Sequence, residues 1–396
     1  MISFEDAYNQ VLEHTIDFGT ESVPVLESVG RILAEEIKAD RDFPPFDRST
    51  KDGIAIRFSA IEKGIREFKI EGVLSAGMAQ QTLSSETNCF EIMTGAVLPK
   101  EADTIIMYEQ TKIKGNRVHL LNEPLKGQNI HARGSDEKKG NVLLGKDVCI
   151  TPTTIGVLAS VGKVTVKVKK LPRICVVSTG NELVDIAEIP LAHQIRKSNS
   201  FSLAAALIQL NIYPTFLHMA DSRELIVQEL KNVLDGHDVL MLSGGVSKGK
   251  FDFIPEALDT LGIKKIFHRV AQRPGKPFWF GVQEERRKIV FSFPGNPVST
   301  FANYLIYFLP WLAKCHSVSR KEQSLILDEP VNPHASLTLF VQVKISWEEG
   351  RLHGLLVKGN GSGDLVGLAK ADGFIRIPQG TTEISKGSVF PFIPIS

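Results

Sequence analysis

The chain changes its hydrophobic rhythm several times along its length. Near the start, Phe4, Ala7, Tyr8, Val11, Leu12 and Ile16 recur at the spacing of a helix with one apolar face, and Ser3 followed by Asp6 is a capping-box-like entry to it. A second helix is expected over residues 27–39. At Asp42 the texture becomes turn-rich, and Pro44-Pro45 enforces extended backbone. From Ile54 to about Leu121, short β-like runs (GIAIRF, EFKIEGV, CFEIMTG, TIIMYEQ, NRVHLL) are separated by Gly, Lys and Asn, the pattern of an inserted, mostly β unit. Residues 127–146 are polar and glycine-rich, a return to the first unit.

The middle third reads differently. RICVVSTG, YPTFLHMA, DVLMLSGG, KKIFHRV, FWFGV and KIVFSFPG are strand-like, and helical patterns cover 199–210, 223–234, 254–261 and 297–314. Buried strands alternating with helices predict a doubly wound, mainly parallel α/β sheet. After Ser319 strand alternation returns (LTLFVQVKISW, RLHGLLVKG, GFIRIP), with a turn at Glu348-Glu349-Gly350, as in a small β-barrel or sandwich. The expected domains are a helical linker domain at 1–42 with 141–170, a β-rich insertion at 43–140, the α/β domain at 171–318 and a C-terminal β-barrel at 319–396.

Composition narrows the classes. With 46 basic against 45 acidic residues the net charge is +1, so nothing in bulk favours nucleic acid or an anionic membrane. Any bound anion must be held locally. The cysteines Cys89, Cys149, Cys175 and Cys315 form no C-x-x-C pair, which excludes a sequence-local zinc knuckle and suits a reducing cytoplasm. MISFEDAYNQ has no apolar stretch of a signal peptide, and the most apolar run, 304–313, is too short to span a bilayer. A cytoplasmic protein is expected, with neither nucleic acid nor membrane as partner.

In an open α/β sheet, ligands sit beyond the carboxyl ends of the strands. Four loops leave such ends here: 178–182 with Glu182, 220–223 with Asp221, SGGVSKGKFD from Ser243 to Asp252, and PGNPVS with Asn296, Pro297 and Ser299. Gly244-x-x-x-x-Gly249-Lys250 resembles a phosphate loop, but Phe251 stands where a Mg²⁺-binding Ser or Thr is required, which argues against an ATPase. Gly244 and Gly245 are still expected to aim backbone N–H groups at phosphate oxygens, with Ser247 nearby and Asp252 placed to hold Mg²⁺. At PGNPVS, Asn296 suits an N-cap and Pro297 the first helical position, so the free N–H groups of the first turn offer an anion site. Such a dipole contributes only about 0.3–1 kcal/mol when exposed, so Arg273 and Lys276 in QRPGKP are needed beside it. Asp47, Asp52, Thr94-Gly95, Arg133 to Asp136 and Asp364 read as surface turns on composition alone.

Taken in order, PPFDRSTKDGIAIR, EIMTGAVLPKEADTIIMYE, HARGSD, CVVSTGNEL, SGGVSKGKFDF, RPGKPFWFG, FPGNPVST and GSGDLVGLA resemble the MoeA-type molybdopterin molybdenumtransferases, a family related to the C-terminal region of gephyrin. The resemblance implies a MoaB/Mog-like α/β domain with a helical linker, a β insertion and a C-terminal barrel. It implies insertion of molybdenum from molybdate into adenylylated molybdopterin with Mg²⁺, releasing AMP. By motif it assigns function to Asp52, Thr94, Asp136, Glu182, Asp221, Asp252 and Lys276, with Mg²⁺ on Asp252 and Asp221 and anion contacts from Ser247 and Ser299. It also implies a homodimer with a shared site, a pterin adenylyltransferase as a partner, and molybdoenzymes as recipients. Lys51, Asn181 and Arg273 depart from the family pattern. A pterin adenylyltransferase and a gephyrin-like binding module are the rival readings.

Overall fold

The computed structural model describes residues 1–220, 223–245, 253–319 and 321–395. Its first helix, Phe4–Glu13, begins where the capping pattern places it: the Ser3 hydroxyl accepts from the Asp6 N–H at 3.0 Å. Phe4, Ala7 and Val11 are buried in the central core, and Ile16 joins them from beyond the helix end.

The expected second helix does not form. Val25–Ser28 makes a single 3₁₀ turn, and Ile37–Lys38 is a short strand paired with Val142–Leu144. Gly30 takes φ +79°, and its N–H, with those of Leu33 and Ala34, bonds to Ile150, Val148 and Lys167. Those partners lie over a hundred residues away in sequence, so helical spacing at 27–39 loses to tertiary pairing. Thr20–Pro24 likewise pairs antiparallel with Thr165–Lys169, and Pro152–Ser160 is the α-helix of this region.

The inserted region is a six-stranded sheet in the order Thr104–Met107, Gly53–Ile56, Asn88–Ile92, Glu67–Leu74, Arg117–Leu120, Thr111–Lys114. Gly53 is required there. A Cβ on it would lie 1.9 Å from the Ile106 carbonyl oxygen, so only glycine lets this strand begin beside its neighbour with Asp52 at its head.

The middle third forms a sheet ordered Thr215–Met219, Ile174–Thr179, Val239–Ser243, Lys288–Phe293, Trp279–Gln283, Lys264–His268. The first four are mutually parallel, Trp279–Gln283 runs antiparallel to them, and Lys264–His268, antiparallel to Trp279–Gln283, returns to the first direction. Separate apolar clusters cover its two faces. Full burial of Phe291, Tyr307 and Trp311 stabilises the fold by roughly 1.5–3 kcal/mol each. The long terminal helix is continuous but uneven: Pro297–Asn303 is α, Tyr304–Phe308 widens to a π-turn, and Leu309–Cys315 returns to α. The widening comes just ahead of Pro310, which lacks an N–H and crowds the carbonyl four residues back.

The C-terminal strands Gln323–Leu327, Thr338–Glu348, Arg351–Leu356, Gly373–Ile377 and Val389–Pro394 close into a barrel, because Thr338–Glu348 pairs with both Arg351–Leu356 and Gly373–Ile377. Gln272–Arg273 joins it as a sixth, parallel strand alongside Thr338 and Leu339. The QRPGKP segment is thereby attached to the barrel.

Candidate active site

Three parallel strands end level with one another: Ser178 stands beside Ser243, and Ser243 beside Phe293. Their loops open on one edge, where a cleft of about 100 Å³ is walled by Thr179, Glu182, Lys197, Asn199, Ser243 and Gly295. Of the sequence-predicted residues, Glu182, Ser243, Gly244 and Pro297 meet there. Asp221, Ser247 and Asp252 lie outside the described residues.

Glu182 owes its place to Gly180, whose φ is +129° and whose missing Cβ would stand 2.3 Å from Glu182 Oε2. Asn199 and Lys197 were not singled out from sequence, where 199–210 reads as an ordinary helix. Asn199 Nδ2 lies 2.9 Å from Ser243 Oγ and 2.6 Å from the Gly295 carbonyl, tying two strand-end loops to the start of the Ser198–Ile208 helix. Lys197 Nζ stands 3.7 Å from Asp185 and brings a cation to the cleft wall. The available signal was the polar run Lys197-Ser198-Asn199-Ser200 at a helix start following a strand end.

Two expectations about backbone donors are corrected. Gly244 does not aim its N–H at a phosphate: that N–H donates to the Phe293 carbonyl at 3.1 Å, extending the parallel ladder by one residue. Its lack of a Cβ serves close approach instead, since a methyl there would lie 2.9 Å from Thr179 Oγ1. The PGNPVS helix start is also taken. Asn296 occupies the cap position without a side-chain capping bond, and its Nδ2 donates to Ser362 Oγ at 2.8 Å. The Val298 N–H donates to the Ser362 carbonyl at 3.1 Å, and Thr300 N–H to Asn296 at 2.9 Å. Pro297 has no N–H, and Ser299 is only 4% exposed. The GSGD loop of the barrel therefore takes the Val298 N–H and the Asn296 side chain, part of what sequence offered as an open anion cradle.

Arg273 and Lys276 remain exposed. Trp279 pairs with Ser292, so the RPGKP loop just before it lies at the same sheet edge as the cleft. Beneath the loop, Gln272, Asn303 and Tyr307 are fully buried and mutually hydrogen-bonded.

The turns of the insertion converge as well. Arg48–Ser49 pairs with Ile130–His131, and the Gly95 N–H donates to the Ser49 carbonyl at 2.8 Å. Asp52 Oδ1 accepts from the Thr94 backbone N–H at 2.6 Å and from its hydroxyl at 2.8 Å, and those bonds hold the Asp52 carboxyl below the usual carboxylate range. Asp136 meets His131 Nε2 at 2.8 Å, and Arg48 lies 3.3 Å from His131 Nδ1. Arg48 can only donate, so Nδ1 accepts and Nε2 carries the hydrogen toward Asp136. His131 and Arg48 lie in the HARGSD and PPFDRSTKDGIAIR segments, but nothing local marks either for a role, since their contact depends on pairing across the insertion. The bonds of Asp52, Thr94, Asp136, His131 and Arg48 given above all stay within this face.

Among the described residues no group of three or more His, Cys, Asp or Glu could hold a metal ion, and no helix is long and apolar enough to cross a membrane. A larger cavity of about 430 Å³, bounded by Phe4, Tyr8, Ile306, Arg376 and Phe392, shares no lining residue with the strand-end cleft.

Three family models match the chain: MoeA N-terminal region (domain I and II) over residues 2–162, probable molybdopterin binding domain over 175–314, and MoeA C-terminal region (domain IV) over 324–395. A molybdopterin molybdenumtransferase of Synechocystis sp. is 38% identical over 400 residues, covering 99% of each chain. That of Bacillus subtilis is 31% identical over 402 residues, covering 98% of this chain and 92% of its own. The crystal structure of the molybdopterin biosynthesis MoeA protein from Pyrococcus horikoshii superposes with a TM-score of 0.84 at 27% identity, covering 100% of both chains.

Proposed function

Since this chain belongs to the MoeA family and is an enzyme that inserts molybdenum into molybdopterin, we propose how its residues divide that reaction. Adenylylated molybdopterin is the form that reacts, and its phosphoanhydride lies in the strand-end cleft. The observation that carries this reading is the level ending of the three strands, which gathers Glu182, Lys197, Asn199 and Ser243 around one opening. Lys197 balances phosphate charge, and Asn199 and Ser243 supply fixed polar contacts. Molybdate, a dianion, is taken up beside Arg273 and Lys276 rather than on the occupied helix start. The two dithiolene thiols replace one oxo group of molybdate, which leaves with their protons as water, and one water adds across the phosphoanhydride, so that AMP leaves with one phosphate and the pterin keeps the other. Preorganised charge is the main source of rate, because such donors need no rearrangement as charge moves.

Mg²⁺ is the cofactor of this reading. The cleft's described polar lining is dominated by oxygen donors, Glu182 among them with serine and threonine hydroxyls, which suit a hard cation. Asp252 and Asp221 would hold it, and it would supply neutralisation of the leaving phosphate. Asp52, Thr94 and Asp136 complete the site from the second subunit of a homodimer. The substrate requires a pterin adenylyltransferase upstream, and the product goes to molybdoenzymes.

The test is to incubate the protein with adenylylated molybdopterin, molybdate and Mg²⁺ and measure AMP. Molybdate-dependent AMP release is expected. Consumption of ATP with release of pyrophosphate would identify an adenylyltransferase instead, and binding without turnover a binding module.

A further inference from the structure

The loop bearing Arg273 and Lys276 rests on a hydrogen-bond set whose direction is determined atom by atom. Tyr307 is fully buried, and burial raises its pKa well above the usual phenol value, so its hydroxyl stays a donor; it donates to Gln272 Oε1. Gln272 Nε2 must then be the donating end. It donates to Asn303 Oδ1 at 2.8 Å and to the Pro274 carbonyl at 3.0 Å. Asn303 in turn is left with Nδ2 free to donate, and it does so to the Gly275 carbonyl at 3.3 Å. Gln272 and Asn303 are 0% exposed, so neither amide has water as an alternative partner. Asn303 closes the α-helical turn and Tyr307 lies in the π-turn that follows, which together present both side chains to Gln272.

The consequence falls on the other side of the loop. The Pro274–Gly275 and Gly275–Lys276 peptides are trans, so each carbonyl points opposite to the N–H of its own plane. With both carbonyls drawn toward the buried amides, the Gly275 and Lys276 N–H groups point the other way, Gly275 being buried and Lys276 exposed, and neither finds an acceptor among the described residues. Gly275 takes φ +88°, and a Cβ on it would stand 2.5 Å from Asn303 Oδ1, so the loop sits directly on the amide. Successive outward N–H groups form a concavity that binds anions.

We infer that Gln272, Asn303 and Tyr307 are positioning residues that shape the RPGKP loop into an oxyanion nest, in which two backbone N–H groups add to Arg273 and Lys276 in holding molybdate. This rests on the reading that Arg273 and Lys276 bind molybdate. Gln272 also belongs to the strand paired with Thr338, so the barrel steadies the same loop.

The experiment measures molybdate binding by calorimetry and the molybdate and pterin dependence of AMP release, for Tyr307→Phe, Asn303→Leu and Lys276→Gln. Tyr307→Phe deletes one hydroxyl in a packed site and is expected to fold. It should weaken molybdate binding about threefold, and Asn303→Leu about tenfold. In both, half-saturation by adenylylated molybdopterin and the rate at saturating molybdate should stay within about twofold of wild type, because the nest acts through backbone donors on one substrate. If Tyr307→Phe and any folded Asn303→Leu lose thermal stability while molybdate affinity stays at the wild-type value, the set is structural and the inference is wrong. Lys276→Gln separates the two claims. If it leaves molybdate affinity unchanged, the loop is not the molybdate site, and the positioning role falls with it.

Discussion

Gly180 shows how a single missing atom places a catalytic candidate. Its φ of +129° is one that residues with a Cβ rarely adopt, and the vacant Cβ position is filled by the Glu182 carboxylate. Gly180→Ala should therefore act twice. Backbone strain should lower stability by about 1–3 kcal/mol. The methyl should also push Glu182 out of the cleft and reduce AMP release by at least about tenfold, a change equivalent to 1.4 kcal/mol of transition-state stabilisation. Denaturant unfolding and single-turnover AMP release measure the two effects separately. A Gly180→Ala enzyme that releases AMP at the rate of the parent protein would remove Glu182 from the chemistry.

Among elements, the Ser198–Ile208 helix contributes more than its packing. Its first turn carries Asn199 into contact with the loops that leave two neighbouring strands, Val239–Ser243 through Ser243 and Lys288–Phe293 through Gly295. Asn199→Ala keeps the helix, since alanine is a strong helix former. It leaves the loops without their common donor. The concentration of adenylylated molybdopterin giving half-maximal rate should rise about three- to tenfold, the range expected for losing a hydrogen bond or two. The molybdate dependence should not move, because among the described residues the hydrogen bonds of Asn199 go to Ser243, Gly295 and Thr300 and none to the RPGKP loop. Steady-state kinetics varying each substrate in turn checks both halves, and a shift in molybdate alone would contradict the division of the site.

Over the whole molecule, the insertion face with Asp52, Thr94 and Asp136 and the sheet edge with Glu182 are separate groups of functional candidates. A two-fold homodimer in which one subunit's insertion meets the other's sheet would unite them. Two inactive variants, Asp52→Ala and Glu182→Ala, test this. In a mixed dimer one site would carry both lesions and the other neither. Random re-pairing of equal amounts makes about half the dimers mixed, so about one quarter of all sites should be intact. Recovered activity near that fraction is expected, with native mass spectrometry showing the mixed dimers. Mixed dimers as inactive as their parents would mean that each site lies within one chain.

What the sequence determined by itself was everything carried by local period and by strand-end chemistry. The alternation in GIAIRF, EFKIEGV and CFEIMTG became strands of one sheet, and RICVVSTG, DVLMLSGG and KIVFSFPG became its parallel counterparts in the middle third, because continuous apolar runs need burial on both faces. Ordered motifs were enough for the family. The tertiary structure decided whatever depends on which distant group reaches a hydrogen-bonding atom first. Residues 27–39 have helical spacing but are held by carbonyls more than a hundred residues on. The N–H of Gly244 goes to Phe293 and that of Val298 to Ser362, although both look free in sequence. Gln272 and Asn303 look like ordinary polar residues until burial leaves each amide a single set of partners. A backbone or side-chain donor has no periodicity to read, and its acceptor is chosen only when the chain has packed.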